Sequence, residues 1–426
     1  MENIALSALT TSNYKNIASG GALGLSKLSI LIGPNGSGKS NLTAVLEFLK
    51  DSVTGTTDDD QTSSPFIGAV AKLGGARLVD KSVPFPATVN FEYRFSPTAE
   101  IPKGLILDID LFANSKDSKV SIAREYFSNF LQPVAPEPFY YYRFHDVHAG
   151  TGVVSVYNDE YETRSHYERV DGVSTDTLGL LTINTLLESS KNPPERTAVY
   201  KVRRKVIESI KRWCFYNANY MNLSVIKNSE PKIGPSDIYV STTGHNLSLV
   251  IDNLIQFDIT FEDNLNEAMK SIIPITRRIR PVRTGLMSLN LQWYLNAKDP
   301  FYLNELSDGT VRMLCWAAIL LSPNLPALLV IDEPELGIHV SWMPILAEWI
   351  KRASERTQVI ICTHSPDLLD HFTDRLENVL CLGSADKVHF SAQPLSRCKL
   401  TQKLEEGWKL GDLYRVGDPI LGGWPW

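Results

Sequence analysis

With 426 residues, 43% of them apolar, and a formal charge of −6, the chain is long enough for two or three domains and too apolar to be disordered throughout. The negative charge excludes a uniformly basic nucleic-acid coat and confines any DNA or RNA contact to local patches. Five cysteines without a C-x-x-C pair indicate neither a disulfide framework nor a zinc site, and no apolar run reaches the ~18 residues of a membrane span, so a soluble cytoplasmic protein is expected.

Ile4, Leu6 and Ala8 alternate with polar residues and predict a first strand with these three on one face. Leu28-Ser29-Ile30-Leu31-Ile32 reads as a buried strand, and it runs into Gly33-Pro34-Asn35-Gly36-Ser37-Gly38-Lys39-Ser40, followed by Asn41. This stretch fits the phosphate-loop pattern G-x-x-x-x-G-K-[ST] without a mismatch. Leu42, Val45, Leu46 and Leu49 recur at i, i+3, i+4 and i+7 and predict a helix directly after it. Strand, glycine loop and helix suit a nucleotide. Glycines let the backbone approach the ligand, and amide N–H groups from Asn35 to Asn41 converge on phosphate at the positive end of the helix dipole. Lys39 is expected at the β- and γ-phosphates, and the Ser40 hydroxyl on Mg²⁺.

Residues 51–65 are polar and acidic and predict an exposed loop. Residues 86–158 look β-rich, with clean alternation at 89–95, 105–112 and 153–157. From 177 to 270 the pattern turns helical, with Val199, Val202, Val206, Ile210 and Trp213 along one side and Arg203, Arg204, Lys205, Lys211 and Arg212 on the polar sides. No heptad pattern is sustained, so no coiled-coil arm is expected. Arg277, Arg278, Arg280 and Arg283 form a second basic run suited to phosphates of DNA or RNA. Strand runs at 327–331 and 358–362 then alternate with helical patterns at 311–321 and 343–353. The tail, 410–426, offers Tyr414, Trp424 and Trp426 either to its own domain or to a partner.

Three further motifs carry chemistry. An apolar strand ends in Asp332-Glu333, which places Asp332 to hold Mg²⁺ and Glu333 to act as general base on the attacking water. Thr363-His364-Ser365-Pro366 follows another buried strand, where an imidazole can bond a γ-phosphate or line up the water. Leu306-Ser307-Asp308-Gly309-Thr310 precedes a helix and forms a second anion-binding N-terminus. One site needs one such loop. A second makes sense if Ser307 and Gly309 face the γ-phosphate of ATP held by another subunit.

In this order the motifs resemble those of ABC-type ATPase heads of the SMC/RecF/OLD superfamily, at 33–41, 306–310, 331–339 and 363–366. Asn13-Tyr14-Lys15-Asn16 is similar to the family's aromatic-plus-basic element, which implies nucleotide contacts for Asn13, Tyr14 and Lys15. Trp213-Cys214-Phe215-Tyr216, Gly244-His245-Asn246-Leu247 and a Gly-Asp-Leu-Tyr…Gly-Gly tail at 411–423 are similar to elements of a stand-alone group of bacterial AAA-type ATPases.

The resemblance implies an α/β, ABC/SMC-like P-loop NTPase head assembled from both chain ends. Residues 1–50 and 286–400 would form its core, 51–165 a β-rich part, 166–285 a helical insertion and 401–426 a tail. It further implies a homodimer sandwiching ATP, in which Ser307 and Gly309 of one subunit complete a site of Lys39, Ser40, Asp332, Glu333 and His364 in the other. Residues 336–339 would be the D-loop on the dimer seam. Relatives act in antiphage defence or DNA repair, which implies an effector partner, a nuclease or toxin encoded nearby. The alternatives are a non-hydrolysing ATP-bound scaffold for such an effector and a RecF-like DNA repair ATPase. Two departures stand out: Asp308 replaces a glycine of the transporter-type signature, and for the Q-loop only the unconvincing Gln61 offers itself. The stretch after His364 is too short for the TOPRIM nuclease domain of OLD nucleases.

Overall fold

Each of the two units of the chain is assembled from three separate stretches of sequence. Unit 1 takes Met1–Ser26, Asn35–Trp213 and Leu382–Gln393, and unit 2 takes Lys27–Pro34, Cys214–Cys381 and Pro394–Trp426. The computed structural model describes residues 4–55, 64–130, 138–148, 150–158, 166–187, 198–234, 236–285, 287–295, 299–384 and 386–421. Gln61, Trp424 and Trp426 lie outside the described residues.

Unit 1 is built on an eight-stranded antiparallel sheet. Its strands are β1 (Leu6–Ser12), β2 (Ala22–Gly24), β4 (Ala87–Phe95), β5 (Leu105–Ala113), β6 (Ser121–Asn129), β7 (Tyr140–His148), β8 (Thr151–Tyr157) and β9 (Tyr167–Ser174). They lie in the order β2-β1-β4-β5-β6-β7-β8-β9. The period-two alternation puts Val89, Phe91, Tyr93 and Phe95 of β4 and Leu105, Leu107, Ile109 and Leu111 of β5 on one buried face. Helix α1 (Lys39–Thr54) packs there, with the Tyr93 hydroxyl donating to the Val45 carbonyl at 2.8 Å and the Phe48 ring 5.6 Å from Phe91. Helix α2 (Pro65–Leu73) lies beside α1 through Phe66, whose ring is 6.0 Å from Phe48. Buried Glu125 accepts from the Gly179 and Leu180 amides at 2.6 and 2.9 Å, fixing the start of α3 (Gly179–Leu187), and α4 (Ala198–Lys211) follows.

Three details correct the sequence reading here. Leu6 is buried but Ala8 is not, because a register shift between them hands the inward face to Leu9 and Thr11. Trp213 opens a strand instead of closing α4. Arg203 does not sit on an exposed polar side: it is 4% exposed and donates to the Leu180 carbonyl at 3.2 Å. Its neighbours Arg204 and Lys205 pair with Glu208 and Glu100.

Unit 2 holds a sheet ordered β10 (Trp213–Asn217), β14 (Leu328–Asp332), β15 (Gln358–Cys362), β3 (Leu28–Ile32) and β16 (Val379–Gly383). β14, β15, β3 and β16 run parallel. Buried on both faces, β3 and β15 read as continuous apolar runs, as parallel strands do. A small antiparallel sheet, β11 (Arg278–Thr284), β12 (Ser288–Tyr294) and β13 (Phe301–Tyr302), lies in the same unit. The helices are α5 (Leu223–Asn228), α6 (Leu247–Phe257), α7 (Thr260–Ile272), α8 (Asp308–Leu320), α9 (Met343–Arg356), α10 (Pro366–Leu369), α11 (Arg397–Glu405) and α12 (Leu410–Arg415). α8 is buried all round from Thr310 onwards and forms the centre of the core with Trp293, Leu346 and Ile361. Among the described residues, no helix is long and apolar enough to cross a membrane.

Candidate functional site

The glycine loop joins the end of β3 to the start of α1. Gly36 and Gly38 have φ of 79° and 93°, in the left-handed region that glycine adopts without strain. A Cβ on Gly38 would also run into the Ile17 side chain. Ser37 and Lys39 are buried, the lysine ammonium 3.4 Å from the Ser37 hydroxyl, while Asn35, Gly36 and Ser40 are exposed. Left-handed glycines beside a buried lysine at a helix N-terminus suit this loop to a phosphate.

The element at residues 13–16 braces the loop from within unit 1. The Asn16 side-chain amide donates to the Gly36 carbonyl at 2.6 Å and accepts from Asn41 at 2.7 Å. Lys15 donates to the Asn41 side chain at 3.1 Å, and the Tyr14 hydroxyl to the Asn41 carbonyl at 3.3 Å. Tyr14 is fully buried, its ring edge-on to Phe91, and burial pushes its phenol far above the ordinary value. The expected ligand contact of Tyr14 is therefore corrected: it holds the backbone beneath the loop. Asn13, at φ 58°, donates to the Thr88 carbonyl at 2.9 Å.

In unit 2, adjacent parallel strands deliver three motifs to one edge. Asp332 pairs with Cys362, and Cys362 with Leu31, so Asp332-Glu333, Thr363-His364 and Gly33 all follow from neighbouring strand ends. Asn217, at the end of β10, donates to Asp332 Oδ2 at 2.9 Å, and Asn219 donates to Glu333 Oε2 at 2.9 Å. Glu333 itself sits at φ 52°, with its amide donating to the Cys362 carbonyl at 2.8 Å. Left-handed backbone costs a non-glycine residue of order 1–3 kcal/mol and gathers at functional sites.

Glu335, two residues beyond Glu333, braces the His364 turn. Its Oε1 accepts from the Thr363 hydroxyl at 2.6 Å and from the His364 and Ser365 amides at 3.1 Å each. Burial raises its carboxyl above the ordinary range, and Oε2 is buried without a partner among the described residues. Sequence reasoning also missed Asn217 and Asn219, whose only hint was their place behind the Trp-x-x-Tyr element.

At the second helix terminus, exposed Ser307 caps α8, its hydroxyl accepting from the Thr310 amide at 3.3 Å. Asp308 pairs with Lys227 at 2.5 Å, which compensates the charge placed where a glycine was expected. A Cβ on Gly309 would stand 3.2 Å from the Gly337 carbonyl, so the signature lies against the segment expected to be the D-loop, where Leu336 and Val340 are exposed. Of the arginine run, Arg278 pairs with Glu262 at 2.6 Å and Arg280 stacks on the Tyr294 ring. Arg277 and Arg283 are exposed and, among the described residues, in no ion pair.

A family profile described as "AAA domain, putative AbiEii toxin, Type IV TA system" matches residues 28–370. No curated protein sequence matches this one. Among solved structures, the SmcHead bound to the C-winged helix domain of ScpA is similar at 14% identity, covering 92% of this chain and 99% of that one with a TM-score of 0.51. An Smc head domain with an extended coiled coil from Pyrococcus furiosus, bound to the C-terminal domain of ScpA, matches at 13% identity over 95% and 99%, TM-score 0.48. The SMC head domain from Thermotoga maritima matches at 11% over 92% and 99%, TM-score 0.43.

Proposed function

The chain belongs to that AAA-domain family and has the fold of an SMC head, and on this premise we propose that it binds ATP with Mg²⁺ and hydrolyses it in a dimer of heads. The observation that carries the reading is the row of strand ends in unit 2. Gly33, at the root of the phosphate loop, stands beside Asp332-Glu333 and Thr363-His364. Lys39 and the loop amides would hold the phosphates, Glu333 would take the proton of the attacking water, and His364 would orient it. Ser40 and Asp332 supply hard oxygen donors of the kind Mg²⁺ prefers, and the ion would neutralise charge on the phosphates. Ser307 and Gly309 would act on the nucleotide of a second copy.

We further propose that hydrolysis or ATP-gated dimerisation controls an effector protein, in antiphage defence or DNA maintenance. The toxin–antitoxin wording of the family description supports the effector. That a solved head of this fold carries a winged-helix domain makes a protein partner the first thing to seek. Any DNA or RNA contact would fall to Arg277 and Arg283.

Steady-state phosphate release by the purified protein tests the core of this. Lys39→Ala should lose ATP binding. Glu333→Gln should keep it while turnover falls by ~10²-fold or more and ATP-bound dimers accumulate. Wild-type turnover in Glu333→Gln would show that the base lies elsewhere.

A further inference from the structure

The C-terminal helix α12 reaches into the row of motifs just described. Tyr414 is 4% exposed, and its hydroxyl lies 3.2 Å from the Gly33 carbonyl and 3.4 Å from His364 Nδ1. A carbonyl can only accept, so the single phenolic hydrogen goes to Gly33. The phenolic oxygen then has lone pairs left for the imidazole, and it can only accept from Nδ1–H. The 3.4 Å separation is long, as hydrogen bonds of catalytic groups often are before the ligand closes them.

The rest of α12 is docked so that the phenol has little freedom. A Cβ on Gly411 would run into the Pro366 carbonyl and the Asp370 carboxylate, while the Gly411 amide donates to Asp370 Oδ1 at 2.9 Å. Arg415 pairs with Asp367 on α10, and Leu410 and Leu413 are buried. α10 is the helix that starts immediately after His364-Ser365, capped by the Ser365 hydroxyl. The tail thus grips the His364 turn from behind and touches its ring.

We propose that Tyr414 is a positioning residue for hydrolysis: its phenol ties His364 to the root of the phosphate loop and fixes the Nδ1–H tautomer. That tautomer makes Nε2 the hydrogen-bond acceptor, which assigns His364 to the attacking water in preference to a neutral donor role toward the γ-phosphate. It also makes the C-terminal tail part of the ATPase machinery. The inference rests on the proposed ATPase reading.

Tyr414→Phe keeps the ring and removes the hydroxyl. Its kcat should fall by about 10-fold with KM within about 2-fold, and Tyr414→Phe/His364→Ala should be no slower than His364→Ala alone, because residues acting as one unit are non-additive. Unchanged kcat in Tyr414→Phe, or losses that multiply in the double variant, overturns the proposal. A second readout does not need turnover. Imidazole ¹⁵N spectra of histidine-labelled protein, with His364 assigned by its absence in His364→Ala, should show Nδ1–H in wild type and a mixed tautomer in Tyr414→Phe. An identical His364 signal in both overturns it equally. If wild type releases no phosphate while the tautomer responds to Tyr414, the ATPase reading fails and the positioning contact stands.

Discussion

Replacing Glu335 by alanine takes away its carboxyl, whose Oε1 serves three donors, and the fates of those donors differ. The Ser365 amide also lies 3.0 Å from the Thr363 hydroxyl oxygen, so it keeps an acceptor. The His364 amide and the Thr363 hydroxyl proton lose theirs, in a place where Thr363 is fully buried. Each of the two stranded donors costs about 1–3 kcal/mol, and relief of the buried, unpartnered Oε2 returns about 1 kcal/mol, leaving a net loss of about 1–5 kcal/mol. Glu335→Gln keeps an oxygen at the Oε1 position and should lose no more than about 1 kcal/mol. Denaturant unfolding of the two variants reads the difference as a shift in midpoint. Turnover should follow it, since a His364 turn displaced by about 1 Å costs of order 10²-fold. An alanine variant that unfolds at the wild-type midpoint, or a glutamine variant as damaged as alanine, would refute this account of Glu335.

Two further outcomes are expected. Ser307→Arg removes a helix cap worth about 1 kcal/mol, too little to unfold the chain, and should abolish hydrolysis with ATP affinity of the monomer kept. Mixing it with Lys39→Ala protein should restore part of the activity, and no restoration in demonstrated mixed dimers would count against a two-site sandwich. His389 bridges Asp80 at 2.8 Å and Asp386 at 2.7 Å, which raises its pKa; Asp80 is held below its ordinary value by hydrogen bonds from Ser82, to which His389 adds, and Asp386 by the His389 amide and ring. For a raised histidine, the stabilisation is complete below the unfolded value of about 6.5 and is lost as pH climbs through the folded value. The two lowered carboxylates stabilise above about 3.9 and lose that contribution as acid protonates them. The melting-temperature gap between wild type and His389→Ala should therefore narrow from about pH 6 to about pH 9, and a constant gap would mean that packing alone is at stake.

The parts of the site that could be read from sequence are those whose chemistry is local. Gly36, Gly38 and Lys39 announce a phosphate loop because backbone geometry and charge must come from those positions themselves. Asp332 and His364 were legible because an apolar strand must end where its polar residues begin. The residues that were missed act over long sequence distances: Asn217 on Asp332, Glu335 on Thr363, Tyr414 on Gly33. An asparagine beside an aromatic strand has no periodicity to betray it. Tyr14 was expected at the nucleotide on the resemblance alone, and its burial against Phe91 is legible only in the folded sheet. The inward face of β1 failed at Ala8 because a bulge reverses alternation without leaving a composition signal.

β3 has a consequence for how the chain comes to be made. Five residues, Leu28–Ile32, form an interior strand of the unit 2 sheet, with β15 on one side and β16 on the other. Synthesis delivers both neighbours long after β3, once all of the unit 1 sheet has been made. Throughout that interval an apolar strand with two unpaired edges, of the kind that self-associates, has no native place to go. Neither unit can be cut out as one continuous fragment either, because the chain passes between them at 26/27, 34/35, 213/214, 381/382 and 393/394, the second of these inside the phosphate loop. The strand that roots the nucleotide loop therefore waits for the whole unit 1 sheet to be made before it can acquire its native pairing.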